Sequence, residues 1–247
     1  MDKLIYTAMT GAQQAMQALS KVSNNLANVS TTGFRADLQA SRSRPVEGGG
    51  LPTRVQTEAE SQGWDSRSGS VVATGRQLDV AIVGKGWLAV QTAGGGEAYT
   101  RAGDMRIGAS GALETGSGHL VLGNGGPITI PPHQKIFLGD DGMISVVPQG
   151  QKGNVMVEVD RLRLVNPPSE QLSKGSDGLI RMRDGSEADT DAAVKVASGH
   201  LESSNVNAAE ALVEMIQISR HYEMQLKAIK TAEENEQSSS ALLRLGS

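Results

Sequence analysis

The sequence predicts a mixed α and β protein, with N- and C-terminal coiled-coil-like helices flanking a central all-β, Gly-rich domain. Three observations predict it. Near the start, Ile5, Met9, Ala12, Met16, Leu19, Ser23 and Leu26 recur at alternating steps of four and three. Near the end, Leu212, Met215, Ser219, Tyr222, Leu226 and Ile229 do the same in steps of three and four. That spacing keeps one narrow seam turned toward a partner helix. Between the two seams the apolar period drops to two, punctuated by glycine turns. Two readings of the seams stand: an intramolecular helix pair that closes one domain, or terminal helices that join separate chains.

The first helix is expected from about Lys3 to Val29. Ser30-Thr31-Thr32-Gly33 stops it, because hydroxyl and β-branched residues compete with the helix and Gly33 accepts the left-handed conformation. Residues 36–69 lack clean periodicity and carry Pro45, Gly48-Gly49-Gly50 and Pro52, so they read as a linker or extended arm. From Ser70 onward short strands are expected at Val71-Val72-Ala73, Leu78 to Ile82, Trp87 to Gln91, Leu120-Val121-Leu122, Ile128 to Ile130, Ile136 to Leu138, Met143 to Val147 and Val155 to Val159. A further strand region from Leu162 to about Met182 closes the body. Turn signals separate them, and Asp140-Asp141-Gly142 between two apolar runs is a strong hairpin signal. The last helix begins near Asn207, whose side chain can accept from the Glu210 N–H as an N-cap. It runs to about Asn235 or on to Leu245. At about 1.5 Å per residue it spans roughly 40 Å, more than a compact β domain covers, so one end projects or finds a partner.

Composition excludes several classes. The 247 residues are 38% hydrophobic and only 3% aromatic, with 30 glycines, which argues against one large core and for a turn-rich β region. A net charge of −4 and a pI near 5.6 argue against a nucleic-acid binder. From Glu202 onward seven acids face four bases, while the first fifty residues carry Lys3, Lys21, Arg35, Arg42 and Arg44 against three acids, a modest bias toward pairing of the two ends. The absence of cysteine excludes thiol catalysis, Cys-based zinc sites and disulfides. No apolar run approaches the roughly 18–20 residues that span a bilayer, and no secretory h-region follows Met1.

No motif in the chain carries recognisable catalytic or metal-binding chemistry. His119, His133, His200 and His221 are far apart and fit no metal-ligand spacing. Asp184, Glu187, Asp189 and Asp191 crowd one loop but lack the register of a calcium loop. Gly123-Asn124-Gly125-Gly126 opens no helix and is followed by no Gly-Lys-Ser/Thr, so it is a turn. No serine sits in a nucleophile elbow. The expectation is a protein with no catalytic residue, cofactor or metal. A secreted β-rich cell-wall hydrolase, with carboxylates distant in sequence, is the enzymatic alternative.

The run Ser23-Asn24-Asn25-Leu26-Ala27-Asn28-Val29-Ser30-Thr31-Thr32-Gly33-Phe34-Arg35 resembles the N-terminal signature of bacterial flagellar axial proteins of the rod and hook. Gly86-Trp87-Leu88-Ala89-Val90, Tyr99 to Asp104, Gly111-Ala112-Leu113 and Gly126 to Pro131 look like successive landmarks of that family's β domain. Leu201 to Val206, followed by Met215-Ile216, Arg220, Tyr222-Glu223, Lys227 and Thr231, is similar to its C-terminal helix. The opening Met1 to Ala12 looks most like the proximal-rod branch, with the distal-rod branch as the competitor. Trp87 stands where phenylalanine is common and Asp104 where asparagine or an aromatic-flanked residue is frequent; both read as conservative changes on a β surface.

The resemblance implies a structural, non-enzymatic subunit of the flagellar rod in the basal body. Its implied partners are copies of itself, other rod subunits and the flagellar type III export apparatus, with no nucleic acid and no membrane insertion, and it would be exported without a cleavable signal. The implied divisions are 1–35 (N-terminal assembly helix and signature), 36–69 (extended arm), 70–196 (central β domain) and 197–247 (C-terminal assembly helix). The implied assembly interface comprises Ile5, Met9, Met16, Leu19, Asn24, Asn25, Leu26, Asn28, Gly33, Phe34, Leu212, Met215, Tyr222, Leu226 and Ile229. In the signature, Asn24, Asn25 and Asn28 would hydrogen-bond neighbours or their own turn, and Gly33-Phe34 would redirect the chain around an aromatic anchor.

Overall fold

A computed structural model of the chain describes residues 2–45, 55–150 and 155–245. Two helices bracket a β-rich middle, and the chain divides into two compact units. The helical unit takes residues 1–27, 37–63 and 207–247, and the β unit takes 28–36 and 64–206. The signature is therefore divided: 23–27 end the first helix, and 28–35 belong to the β unit.

In the helical unit, α1 (Asp2–Ala27) and α2 (Ala208–Leu245) pack together, and α1 also meets β1 (Asp37–Pro45). Asn207 caps α2 as its residue type predicts, Oδ1 accepting from the N–H of Ala209 at 3.0 Å and of Glu210 at 3.4 Å. β1 pairs with β2 (Val55–Trp64) in a two-stranded sheet, so the expected linker is a paired β arm. Backbone pairing needs no apolar alternation, which is why the segment showed none. The glycine run Gly48-Gly49-Gly50 and Pro52 lie outside the described residues.

The β unit is antiparallel throughout its recorded pairings. Its larger sheet is built from β5 (Trp87–Gln91), β6 (Glu97–Thr100), β7 (Met105–Ile107), β8 (Leu113–Thr115), β9 (Leu120–Gly123), β15 (Leu172–Lys174) and β16 (Ile180–Met182). The order is β15-β16-β6-β5-β9-β8-β7, with β10 (Gly126–Pro127) on β9 and β14 (Leu164–Val165) on β5. A second sheet orders β11 (His133–Leu138), β12 (Met143–Pro148) and β13 (Val157–Arg161). Two further pairs join β17 (Lys195–Ser198) to β4 (Val80–Val83), and β18 (His200–Glu202) to β3 (Val71–Ala73). Asp140-Asp141-Gly142 makes the β11–β12 turn, with Gly142 at φ +82° and the Gly139 N–H donating to Met143 O.

Two apolar clusters fill this unit. One gathers Val90, Met105, Leu113, Val121, Ile144, Val146 and Leu162; the other centres on Tyr99, Ala89, Val165, Leu172 and Ile180. Several strands escape the sequence pattern. β6, β7, β8, β17 and β18 run only three or four residues, too few for alternation to declare itself. Conversely, Ile128 and Ile130 are buried as expected of a strand, yet only Thr129 between them makes a bridge, to Ala112.

Candidate functional site

On α1 the covered residues are Ala8, Ala12, Ala15 and Val22, with Ile5, Leu19 and Leu26 half-buried. Together they step as 5, 8, 12, 15, 19, 22, 26, again in threes and fours. This stripe shares Ile5, Ala12, Leu19 and Leu26 with the expected seam but takes Ala8, Ala15 and Val22 in place of Met9, Met16 and Ser23. Met9 and Met16 are each 57% exposed. On α2 the shielded set is Ala211, Met215, Ile218, Tyr222, Gln225, Ile229 and Ala232, in the same stepping. It keeps Met215, Tyr222 and Ile229, while Leu212 (48%) and Leu226 (45%) face outward beside Val213, Ile216 and Met224.

Close approach explains the choice of phase. A Cβ on Gly11 would come within 3.0 Å of the Gln225 side chain, so the helices meet where α1 is smallest. Alanines admit that approach, and methionines one position along do not. Each helix thus carries two phases of one repeat, one buried in the pair and one left apolar and uncovered.

Asn25 and Asn28 of the signature bond within the chain. Asn25 Oδ1 accepts from the Asp37 N–H at 2.8 Å while its Nδ2 donates to Asp37 O at 3.0 Å. Thr31 Oγ1 donates to Asn28 Oδ1 at 3.1 Å. Asn24 is exposed on α1. Gly33 takes φ +65° and is wedged so tightly that a Cβ would lie 2.2 Å from the Arg101 carbonyl carbon. Only glycine fits there. Its N–H donates to Glu202 O at 2.8 Å. Phe34 is buried, with the Lys174 ammonium 4.1 Å from its ring centroid and donating to Arg35 O at 2.8 Å.

Next to it lies a buried charge cluster. Glu202 is 1% exposed and accepts from Arg35 Nη2 at 2.6 Å, Arg101 Nη1 at 2.8 Å and the Gly69 N–H at 2.9 Å. Two guanidiniums face one carboxylate, leaving an excess positive charge. Both lie over the Trp87 ring, Arg35 at 5.8 Å and Arg101 at 5.5 Å from its centroid, and the ring's negative face offsets that excess. Arg101 also donates to Gly84 O at 2.6 Å. Burial pulls the Arg101 guanidinium below its usual value, while Glu202 pulls it back up. Trp64 stands edge-on to Trp87 at 5.2 Å. Asn205 adds a clamp: its Oδ1 accepts from the Ala36 N–H, and its Nδ2 donates to Asp65 O and Arg67 O.

Trp87 is therefore buried and central, where the sequence placed it on a β surface. Asp104 is half-buried, opposite Asp79 in an isolated bridge, and burial raises its carboxyl with Asp79 adding to the effect. The cluster itself went unpredicted, although Arg35, Trp87, Arg101 and Glu202 each sit in a different signature motif. A charged residue recurring inside otherwise apolar or turn-forming landmarks was the available signal.

The loop acids are engaged in turns. Asp184 accepts from the Ser186 N–H, Asp191 from the Ala193 N–H, and Glu187 pairs with Arg163. Among the described residues no group of three or more His, Asp or Glu is placed to hold a metal ion, and no helix is long and apolar enough to cross a membrane.

Helices that leave apolar residues uncovered, beside a β unit whose buried charges serve its own architecture, mark a structural building block. Comparison with known proteins agrees. Residues 5–35 match the family described as flagella basal body rod protein, 81–146 the D1 domain of the flagellar hook protein FlgE/F/G, and 197–242 the C-terminal region of the flagellar basal body rod FlgEFG proteins. The flagellar basal-body rod protein FlgF of Salmonella typhimurium strain LT2 is 41% identical over 99% of this chain and 100% of its own length. That of Escherichia coli K12 is 42% identical with the same coverage, and FlgG of Bacillus subtilis is 32% identical over 95% of this chain and 96% of its own. The chain belongs to the FlgF family of flagellar basal-body rod proteins. The relatives are structural rod proteins, not enzymes, and the cell-wall hydrolase reading finds no support among them.

Proposed function

We propose that this chain is a structural subunit of the proximal flagellar rod that polymerises through its terminal helices to build the drive shaft for motility. Rod subunits are its partners and the basal body its place, as membership of the family implies. The observation that carries the assembly role is the second apolar phase on each helix: Met9 and Met16 on α1, Leu212 and Leu226 on α2. Side chains of this size, repeated at seven- or fourteen-residue intervals on one line, suit packing against helices of neighbouring subunits in a coiled-coil manner. Ile5, Leu19, Leu26, Met215, Tyr222 and Ile229 then link the intramolecular pair to that outer layer. Asn24, Asn25, Asn28, Gly33 and Phe34 hold the signature in the shape the assembly uses. Passage through the type III export apparatus fits a cysteine-free chain with no spanning helix among its described residues, and neither nucleic acid nor membrane enters this reading.

The test replaces Met16 or Leu226 with Asp. In the free chain both sites are exposed, so the β unit's melting transition stays where it is. In a polymer each carboxylate is buried unpaired, costing several kcal/mol per subunit. Cells carrying either variant are expected to export the protein yet swim no better than a deletion strain. Normal motility with both variants would show that this face meets solvent in the rod.

A further inference from the structure

We propose that the sheet β11-β12-β13 continues from one copy of this chain to the next, the open edge of β13 lying along the open edge of β11 in a neighbouring copy. The inference rests on the chain being a rod subunit but concerns a surface remote in sequence from either helix. Among the described strands, β11 and β13 each pair only with β12. Their outer edges present unpaired N–H and C=O groups, a template for another strand.

The β13 side is also apolar where it is open, and the β11 edge carries one exposed apolar residue. Val157 pairs with Val146, which is fully buried, yet Val157 itself is 43% exposed. Nothing described lies beyond it to cover that side. Val155 and Met156 just before it are each 56% exposed, and Phe137 on β11 is 38% exposed. At the far end of β13 the Asp160 carboxylate accepts from the Asn124 and Arg161 N–H groups. The far end of β11 leads to Asp140, whose carbonyl accepts from Val196. The open stretches are 133–137 of β11 and 157–158 of β13, with Val155 and Met156 leading into the latter.

Charge decides the occupant. Lys135 on the β11 edge and Glu158 on the β13 edge are exposed, and neither has an ion-pair partner among the described residues. Phe137 and Glu158 both pair with Ser145, which puts Lys135, Phe137 and Glu158 on the same outward face. An edge lysine and the register shift between His133 and Lys135 are devices that repel indiscriminate strands. An acidic strand answers that lysine, and the chain's own β13 supplies one. β11 and β13 are both antiparallel to β12 and so run the same way. Joining them is head-to-tail, with β13 parallel to the next β11, and it leaves the same two edges free at either end. Such a contact propagates instead of closing on itself.

The chain's lack of cysteine makes the test clean. One chain carries Lys135→Cys, a second carries Glu158→Cys, and both are co-expressed in cells that assemble basal bodies, then oxidised mildly. The expected product is a mixed disulfide dimer about tenfold above the level from either variant alone, since only adjacent strands bring the two Cα atoms within bridging distance. Dimers from one variant by itself would mean an edge paired with its own kind, which overturns the head-to-tail arrangement. No dimer, with the Glu158→Cys thiol nonetheless shielded from alkylation in the basal body, would mean that a different subunit covers the edge and overturns the choice of a second copy. No dimer and no shielding would leave the edge in solvent and end the proposal. The Leu226→Asp strain keeps the two readings apart: if that strain is non-motile while the two cysteine variants, with Leu226 intact, give no mixed disulfide, the edge contact falls and the rod assignment stands.

Discussion

The helical unit and the β unit solve the problem of stability in opposite ways. The β unit buries its large side chains, Tyr99, Met105, Leu113 and Ile144 among them, and even buries three charges by setting them against each other and against an aromatic ring. The helical unit buries mostly alanines and leaves Met9, Met16, Leu212, Ile216, Met224 and Leu226 uncovered. At about 25 cal/mol per Å² of apolar area removed from water, alanines contribute little. The helical pair is therefore lightly held by itself, and the β unit carries most of its large apolar side chains in its own core. The difference teaches that the β unit holds its stability mainly in its own core, while the helices leave most of their large apolar side chains uncovered, the surface on which the proposed assembly draws.

Breaking the β unit at its charge cluster should give the largest effect. Glu202→Ala removes the one carboxylate between two buried guanidiniums and is expected to destabilise the β unit by about 3–5 kcal/mol, read as a lowered thermal midpoint of the purified chain. Glu202→Gln, which retains an acceptor for the Gly69 N–H, should cost less. An unchanged midpoint in Glu202→Ala would show that water reaches the cluster and that the two units differ less than their burial suggests. The same cluster bears on where the β unit ends. Residues 70–196 alone lack Glu202, which pairs with Arg101, and Arg35 and Trp64, which contact Trp87, and should melt below the full chain's β unit.

Overfilling the helical seam sharpens the other side of the comparison. Ala15→Leu puts a larger side chain where α1 is covered, and overpacking of this kind costs about 1–3 kcal/mol. The expected result is an earlier loss of helical circular dichroism with the β unit's transition unmoved. Coincident loss of both signals would mean that the units unfold as one.

The smallest effect lies on the β unit's surface. A side-chain hydrogen bond from Arg181 holds the Asp177 carboxyl down at about 2, against an ordinary value of 3.8. A depressed carboxyl stabilises the fold above its ordinary value, and that contribution is lost as pH falls from 3.8 toward 2. The pair is partly exposed, so Asp177→Asn should cost about 0.5 kcal/mol or less near neutrality. The difference from the parent chain should vanish in acid and shrink in salt, as chemical denaturation across that pH range would show.

The sequence by itself determined the helix–β–helix order, the Asn207 cap, the hairpin at Asp140-Asp141-Gly142, the repeat of each helix and the end of the first helix to within two residues, at Ala27 against an expected Val29, because each is written in residues a few positions apart. Alternating threes and fours declare a helix with one covered face. They do not say which phase is covered, since Ile5, Ala12, Leu19 and Leu26 belong to both. The tertiary structure decided that at Gly11 and Gln225, where close approach selected alanines and turned the methionines out. It also decided the fate of Arg35 and Glu202, 167 positions apart. No local pattern can announce that two such charges meet, because their pairing depends on strands β3 and β18 closing beside the signature. Long-range contacts of that kind are fixed by packing and desolvation, and packing exists only once the chain has folded.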